Sequence, residues 1–238
     1  MSRRQKFEII NSDDHLLVVN KPAGLLSIPG RDPSEMSLYA ELARQTNQLY
    51  IVHRLDRDTS GVIVFARTAQ AHKDLSGQFA ERTVTKRYQA LVVGHVHPIE
   101  QTIDAPLHIT AGGRVTPRSS GKPSRTDIRV LEQFNGYCLV EAIPRTGRQH
   151  QIRVHLQVAG HPLVIDPLYA QSEPLTILDI KPHAHVRDEA EVRPILARTP
   201  LHSESLQFTH PDGTTVTYSA KWPRDLRAAV NQLRKWRR

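Results

Sequence analysis

The sequence predicts an α+β protein with a largely antiparallel mixed sheet flanked by helices and loops. Strand-like runs outnumber helical ones, most are joined by short turns, and an Asp-Gly signature closes a hairpin near the end of the chain. Few connections read as linkers, so the 238 residues are expected to form a single domain, 1–238.

Residues 7–20 read as a hairpin, because two short apolar runs flank the turn chemistry of Asn11-Ser-Asp-Asp. A Pro- and Gly-punctuated loop follows from Lys21. Leu38 and Leu42 predict a short helix over 37–45. Gly61-Val-Ile-Val-Phe-Ala is continuous and β-branched, the pattern of a buried strand. Ala71, Leu75 and Phe79 predict a helix over 69–81, and strands are expected over 86–94, 124–131 and 137–142. Residues 110–122, with several Gly, Pro, Ser and Arg, read as an exposed loop. Ile152, His155, Leu156 and Ala159 recur at i, i+3, i+4 and i+7, so 149–159 predicts a helix that Gly160 stops. Residues 171–198 combine prolines with mixed charge and read as an irregular loop or insertion. A hairpin is expected over 206–218, then a basic amphipathic helix over 224–238 with Leu226, Val230 and Leu233 on one face.

Composition narrows the function classes. Hydrophobic residues at 39% and charged residues at 24% are globular proportions and exclude a disordered chain. No apolar run approaches the ~18 residues of a membrane span, and no apolar stretch follows the basic start Met1-Ser-Arg-Arg-Gln-Lys. A cytoplasmic monomer without membrane attachment or secretory signal is therefore expected. The single cysteine, Cys138, cannot form an internal disulfide and reads as a buried, inert thiol. Lys and Arg total 32 against 24 Asp and Glu, a formal charge of +8. With a pI near 9.9, a polyanion is the first partner to weigh against a merely solvated basic surface.

Several motifs are excluded. Ser120-Gly-Lys-Pro is not a phosphate loop, since Thr116 stands where its first glycine belongs and Pro123 where its hydroxyl belongs. No dinucleotide-binding glycine pattern follows a strand, and no Gly-x-Ser-x-Gly elbow occurs. His95/His97 and His183/His185 lie beside prolines in loop-like sequence and read as solvated rather than as zinc ligands. Neither a metal nor a cofactor is expected.

Two segments concentrate the chemistry. The first runs Ile51-Val-His-Arg-Leu-Asp-Arg-Asp-Thr-Ser-Gly, placing His53, Arg54, Asp56, Arg57 and Asp58 in a loop directly before a buried strand. Such charges either neutralise one another on the surface or serve a ligand. The second runs Pro144-Arg-Thr-Gly-Arg-Gln-His-Gln-Ile-Arg-Val-His-Leu and is rich in planar donors. On a helix His150 and Arg153 share a face suited to phosphate, or to holding a carboxylate ionised.

Together with Asn20-Lys-Pro-Ala-Gly, Lys86-Arg-Tyr and the segment from Gly160 to Tyr169, these motifs resemble the RluA-type pseudouridine synthases. The His-Arg-Leu-Asp-x-x-Thr-Ser-Gly signature at His53 to Gly61 is the most specific of them, and order and spacing agree from Phe7 to Tyr169. Ile165 stands where the family usually has Gly, which predicts an altered turn beside Asp166. The family often carries an S4-like RNA-binding domain ahead of the first strand, and this chain resembles the short, single-domain members.

The resemblance implies a pseudouridine synthase fold and isomerisation of uridine to pseudouridine in structured RNA, a stem-loop of large-subunit rRNA or tRNA. Asp56 matches the essential aspartate, acting as nucleophile or as base on the sugar. Arg153 matches the arginine that pairs with it, and Tyr88 the tyrosine that stacks on the target base and takes part in proton transfer at C5. Arg54 is the candidate to fill the space left by a flipped-out uridine. Lys21, Lys86, Arg148, His150 and the C-terminal basic helix are candidate RNA contacts, and Thr59, Ser60 and Gly61 shape the turn. For His53 a structural hydrogen bond is the expected role. Two rivals remain at this point: a non-catalytic RNA-binding module, which gives no reason for Asp56, and a ribonuclease using His53 and His150 as base and acid.

Overall fold

A computed structural model describes residues 7–30, 32, 34–181, 184 and 192–238. The basic start of the chain, His183/His185 and the middle of the 171–198 segment lie outside the described residues. In chain order the elements are β1 (Glu8–Ser12), β2 (Leu16–Lys21), α1 (Leu38–Ala43), β3 (Tyr50–Ile51), β4 (Ser60–Ala66), α2 (Ala69–Glu81) and β5 (Thr85–Val93), then β6 (Glu100–Asp104), β7 (Leu107–Ile109), β8 (Val115–Pro117), β9 (Arg125–Phe134) and β10 (Tyr137–Pro144). They continue with α3 (Gln151–Val158), α4 (Ile177–Ile180), β11 (Leu201–Thr209), β12 (Thr215–Ser219) and α5 (Arg224–Trp236). The fold is α+β. The strand pairs β1–β2, β2–β4, β3–β4, β11–β12, β9–β10, β6–β9 and β7–β8 are antiparallel, and β4–β11 is parallel.

The backbone divides into two compact units, one of residues 1–88 with 202–221 and one of 89–201 with 222–238. In the first, strand order is β1-β2-β4-β11, with β12 on β11 and β3 on the far end of β4. The opening hairpin turns at Asp13, whose carboxylate accepts the N–H groups of His15 at 2.8 Å and Leu16 at 2.7 Å. Strand β4 is buried along its whole length. Val62, Val64 and Ala66 face one core with Ala71 and Leu75 of α2, while Ile63 and Phe65 face another with Leu38 and Leu42 of α1. Two apolar faces require a continuous apolar run, which is why this strand lacks alternation. Thr68 caps α2 by accepting the N–H of Ala71.

The second unit holds the antiparallel strands β10, β9 and β6. Helix α5 buries Leu226, Ala229, Val230 and Leu233 against Leu91, Phe134, Leu139, Val164 and Ile165, as its periodicity predicts. Cys138 is buried in β10, and burial pushes its thiol up to about 11.

Three expectations are corrected. Residues 110–122 are not simply a loop, because β8 lies within them, pairs with the preceding β7 and buries Val115. The 171–198 segment contributes Leu175, Ile180 and Leu196 to the core, with a bridge between Leu175 and Leu196 and a capping box of Thr176 and Asp179 on α4. Helix α3 is buried on every side from Gln151 to Leu156 rather than amphipathic. Its polar side chains are accommodated by hydrogen bonds: His155 meets Thr126 Oγ1 at 2.8 Å and the Ala105 carbonyl at 3.0 Å.

Candidate active site

The loop between β3 and β4 carries Asp56, and its backbone is pinned on both sides of that residue. Leu55 donates its N–H to Ser27 Oγ at 3.0 Å, and the same hydroxyl donates to the Leu55 carbonyl at 2.8 Å. The Arg57 carbonyl accepts from Gly24 N–H and from Lys21 Nζ, both at 2.9 Å. The Asp56 carbonyl accepts from Thr59 N–H at 3.2 Å. Three consecutive peptide groups are thereby held while the Asp56 side chain stays half-buried.

Lys21 corrects an expectation. It is fully buried, and its ammonium donates to the carbonyls of Pro22, Leu25 and Arg57 at 2.9, 2.8 and 2.9 Å. All three donors are directed at backbone oxygens, so Lys21 clamps the loop from inside and is not positioned to meet phosphate. The neighbouring segment is itself fixed, since Leu38 and Tyr39 donate to the carbonyls of Leu26 and Ser27.

One edge of β4 explains how the site is framed. Strand β11 pairs with its start, at Ser60 and Gly61, and β3 with its end, at Phe65 and Ala66. Between them the ladder is completed by side chains: Ser203 Oγ donates to the Val62 carbonyl at 3.1 Å, and His53 Nε2 accepts the Val64 N–H at 3.1 Å. Gly61 is required here, with φ +113° and the Ser203 carbonyl oxygen 2.0 Å from where a Cβ would sit. Ser60 meets His202 Nδ1 at 2.9 Å. Thr59, Ser60 and Gly61 thus belong to the turn and its anchoring.

The titratable groups around Asp56 have distinct environments. The His53 ring stacks on Phe79 at 4.7 Å between centroids, and burial, aided by the Lys86 charge, pushes its pKa down to about 3. A neutral ring whose Nε2 is committed to backbone is not a general base, which removes His53 from the ribonuclease reading. Burial and the nearby Arg82 push the Lys86 ammonium down to about 8. Tyr88 is pushed up to about 12, chiefly by burial and further by the Asp56 charge, against a lowering hydrogen bond from Ser203. Its phenol is therefore protonated at neutral pH. Arg54 is exposed, and Arg57 points to Glu35 at 2.6 Å.

In the second unit, Arg153 forms a buried, bidentate pair with Asp166: Nε and Nη2 each donate at 2.7 Å. Its guanidinium also lies 5.1 Å from the Tyr169 ring centroid. Asp166 and Tyr169 were not singled out in sequence as site residues, although their Asp-x-x-Tyr spacing is the signal that brings them together. Asp166 also accepts the N–H groups of Leu168 and Tyr169, so the turn following Ile165 is built on this carboxylate while Ile165 itself is buried in the core.

His150 does not share a helix face with Arg153. It precedes α3 with φ +52°, and its Nδ1 meets Tyr169 Oη at 2.8 Å. The turn before the helix is organised by Gln151, which accepts from Thr146 Oγ1 and Arg148 N–H and donates to the Arg125 carbonyl and Thr126 Oγ1. Arg148 is half-buried, and its Nε has no hydrogen-bond partner among the described residues. The C-terminal helix is a poorer phosphate contact than its sequence implies. Arg234 forks onto Glu132, and Arg237 donates to the Asp179 carbonyl at 2.6 Å.

Residues 15–158 match the RNA pseudouridylate synthase family. The ribosomal large subunit pseudouridine synthase D of Nitrosomonas europaea is 39% identical over 236 residues, 95% of this chain and 65% of the relative. The dual-specificity RNA pseudouridine synthase RluA of Escherichia coli (strain K12) is 39% identical over 218 residues, covering 89% of this chain and 91% of the relative. The solved structure of human RNA pseudouridylate synthase domain containing 1 superposes with a TM-score of 0.72 at 26% identity, covering 92% of this chain and 84% of that one. Domain containing 4 of the same human series gives the same TM-score at 24% identity and supports the fold.

Proposed function

This chain belongs to the RNA pseudouridylate synthase family, and from that premise we propose that it isomerises specific uridines in a stem-loop of large-subunit rRNA, tRNA or both. The N1–C1′ bond breaks, the uracil turns over, and C5 bonds to C1′; C5 loses its proton and N1 gains one. Atoms and electrons balance without a group donor, redox partner or nucleotide cofactor.

Asp56 acts on the sugar, as nucleophile at C1′ or as base. The observation that carries this role is the double clamp, Ser27 on Leu55 and Lys21 with Gly24 on Arg57, which fixes the backbone on either side of one carboxylate. A binding module has no use for a rigidly presented anion amid cations. Tyr88 stacks on the target base; its raised pKa supports a neutral aromatic platform rather than a phenolate base at C5. Arg153 is assigned to the catalytic set by its motif. Arg54, exposed beside Asp56, enters the space of the flipped uridine. Lys86, Arg148 and His150 contact the RNA.

No described helix is long and apolar enough to cross a membrane, and a cytoplasmic monomer is the setting we propose. The test is Asp56→Asn with RNA tritiated at uridine C5. Tritium release falls to background while RNA affinity is retained and the recovered RNA is intact. Normal release by the variant overturns the assignment, and cleaved RNA restores the ribonuclease reading.

A further inference from the structure

Three buried hydroxyls near the candidate active site serve backbone or fold. Ser27 pins Leu55, Ser37 caps α1 by accepting the Ala40 N–H, and Ser60 meets His202. Ser203 differs. It is fully buried on β11, and its Oγ joins two separate parts of the site. One is the Val62 carbonyl of β4, at 3.1 Å. The other is the Tyr88 phenol, with which Ser203 shares a side-chain hydrogen bond.

The position of Ser203 is fixed independently of Tyr88. Strand β11 runs parallel to β4 with His202 opposite Ser60 and Ser203 opposite Gly61. A Cβ at Gly61 would lie 2.7 Å from both the backbone nitrogen and the carbonyl carbon of Ser203, so the strands approach this closely only at glycine. The preceding His202 is held at both ring nitrogens, by Ser60 Oγ at 2.9 Å and the Ala220 carbonyl at 3.1 Å. The backbone therefore delivers the Ser203 hydroxyl to one place.

The direction of the hydrogen bonds follows from the proton count. A serine hydroxyl has one proton to donate and lone pairs with which to accept. The Val62 carbonyl can only accept, so it takes the Ser203 proton. The Tyr88 phenol, protonated at neutral pH, then donates to the lone pairs left on Oγ. The chain ends on an amide oxygen, which accepts a hydrogen bond but is far too weak a base to take the proton. It holds the phenol without draining it, as a stacking platform requires.

We infer that Ser203 is a positioning residue for Tyr88: its hydroxyl ties the tip of the ring to the edge of β4 and sets the plane on which the target base stacks. The inference rests on the base-stacking role proposed above for Tyr88 and deepens it. A tyrosine anchored only at its Cα keeps its side-chain freedom. One held at both ends loses that freedom before RNA arrives, so the ordering cost is not met at the moment of reaction.

The experiment is a double-mutant cycle of Ser203→Ala and Tyr88→Phe, read by tritium release from RNA labelled at uridine C5. Each single change cuts the tie, and each lowers kcat about 5-fold with KM near the parent value. Ser203→Ala costs nothing further in the Tyr88→Phe background. It also leaves the Val62 carbonyl unpaired, but that loosening of β4 lowers Tm equally in both backgrounds and cannot produce the coupling. A second readout is independent of turnover. With meta-fluorotyrosine incorporated, the ring fluorine acidifies the phenol into a titratable range, and fluorine NMR follows Tyr88 by the resonance missing from Tyr88→Phe. Its midpoint moves to higher pH in Ser203→Ala, because the phenolate loses the serine proton that turns toward it. A Ser203→Ala loss that is the same in both backgrounds, or an unmoved midpoint, overturns the positioning role and leaves the reaction intact. If the parent makes no pseudouridine while the midpoint still moves, the tie stands and the stacking role of Tyr88 falls.

Discussion

Ser27 holds Leu55 by both polar groups of its backbone, accepting its N–H at 3.0 Å and donating to its carbonyl at 2.8 Å. One buried hydroxyl therefore does the work of a strand partner at the residue before Asp56. The contact belongs to the loop's geometry and not to its charge.

Ser27→Ala removes both bonds and leaves two buried polar groups of Leu55 unpaired, a loss of about 1–3 kcal/mol. We expect kcat to fall about 10-fold with KM nearly unchanged, since a misplaced catalytic carboxylate costs turnover rather than binding. Ser27→Thr keeps the hydroxyl and recovers most of kcat. Steady-state kinetics on both variants decide it; an alanine variant with parental kcat removes Ser27 from the positioning set.

Lys21→Met strips three carbonyls of their donor in a site closed to water. Stability falls by about 3 kcal/mol or more, and Tm with it. If Lys21 instead served phosphate, Tm would hold and only the salt slope of RNA binding would change. Thermal unfolding and a salt titration on the same variant separate the two.

Lys86 gives the pH dependence. Its ammonium titrates near 8 in the folded protein against 10.5 when unperturbed, so it is cationic below 8 and loses charge as pH rises through that value. RNA affinity is expected to weaken between pH 7 and 9, and Lys86→Arg to remain flat across the same window. The stability sign is opposite: the folded state binds fewer protons between 8 and 10.5, so this group's penalty for burying charge is relieved as pH rises. Identical affinity profiles for parent and Lys86→Arg refute the assignment.

Arg153 and Asp166 act as a pair. Asp166→Ala leaves a buried guanidinium without its carboxylate, at a cost of about 3–5 kcal/mol. Arg153→Lys keeps charge but loses the planar fork, and activity is expected to drop well below that of a surface swap such as Arg129→Lys. Equal activity in those two lysine variants means the fork geometry at Arg153 is dispensable.

The sequence by itself determined the elements whose pattern is local. Strand β4 announced itself by an uninterrupted β-branched run, α2 and α5 by helical spacing, the terminal hairpins by Asx and Asp-Gly turns. The spacing of chemical residues around Asp56 was equally legible, because a loop motif is contiguous in sequence. The tertiary structure decided what those residues touch. Lys21 looked like a surface cation, yet the loop it clamps folds over it. Arg234 looked available to RNA, yet Glu132 reaches it from a distant position. Strands β7 and β8 were hidden because three-residue strands are too short to show periodicity and are held by burial of Leu107 and Val115. Composition shows that a charge exists; only the packed chain decides whether a carboxylate, a carbonyl or water faces it, because those partners lie tens of residues away and their approach depends on the fold.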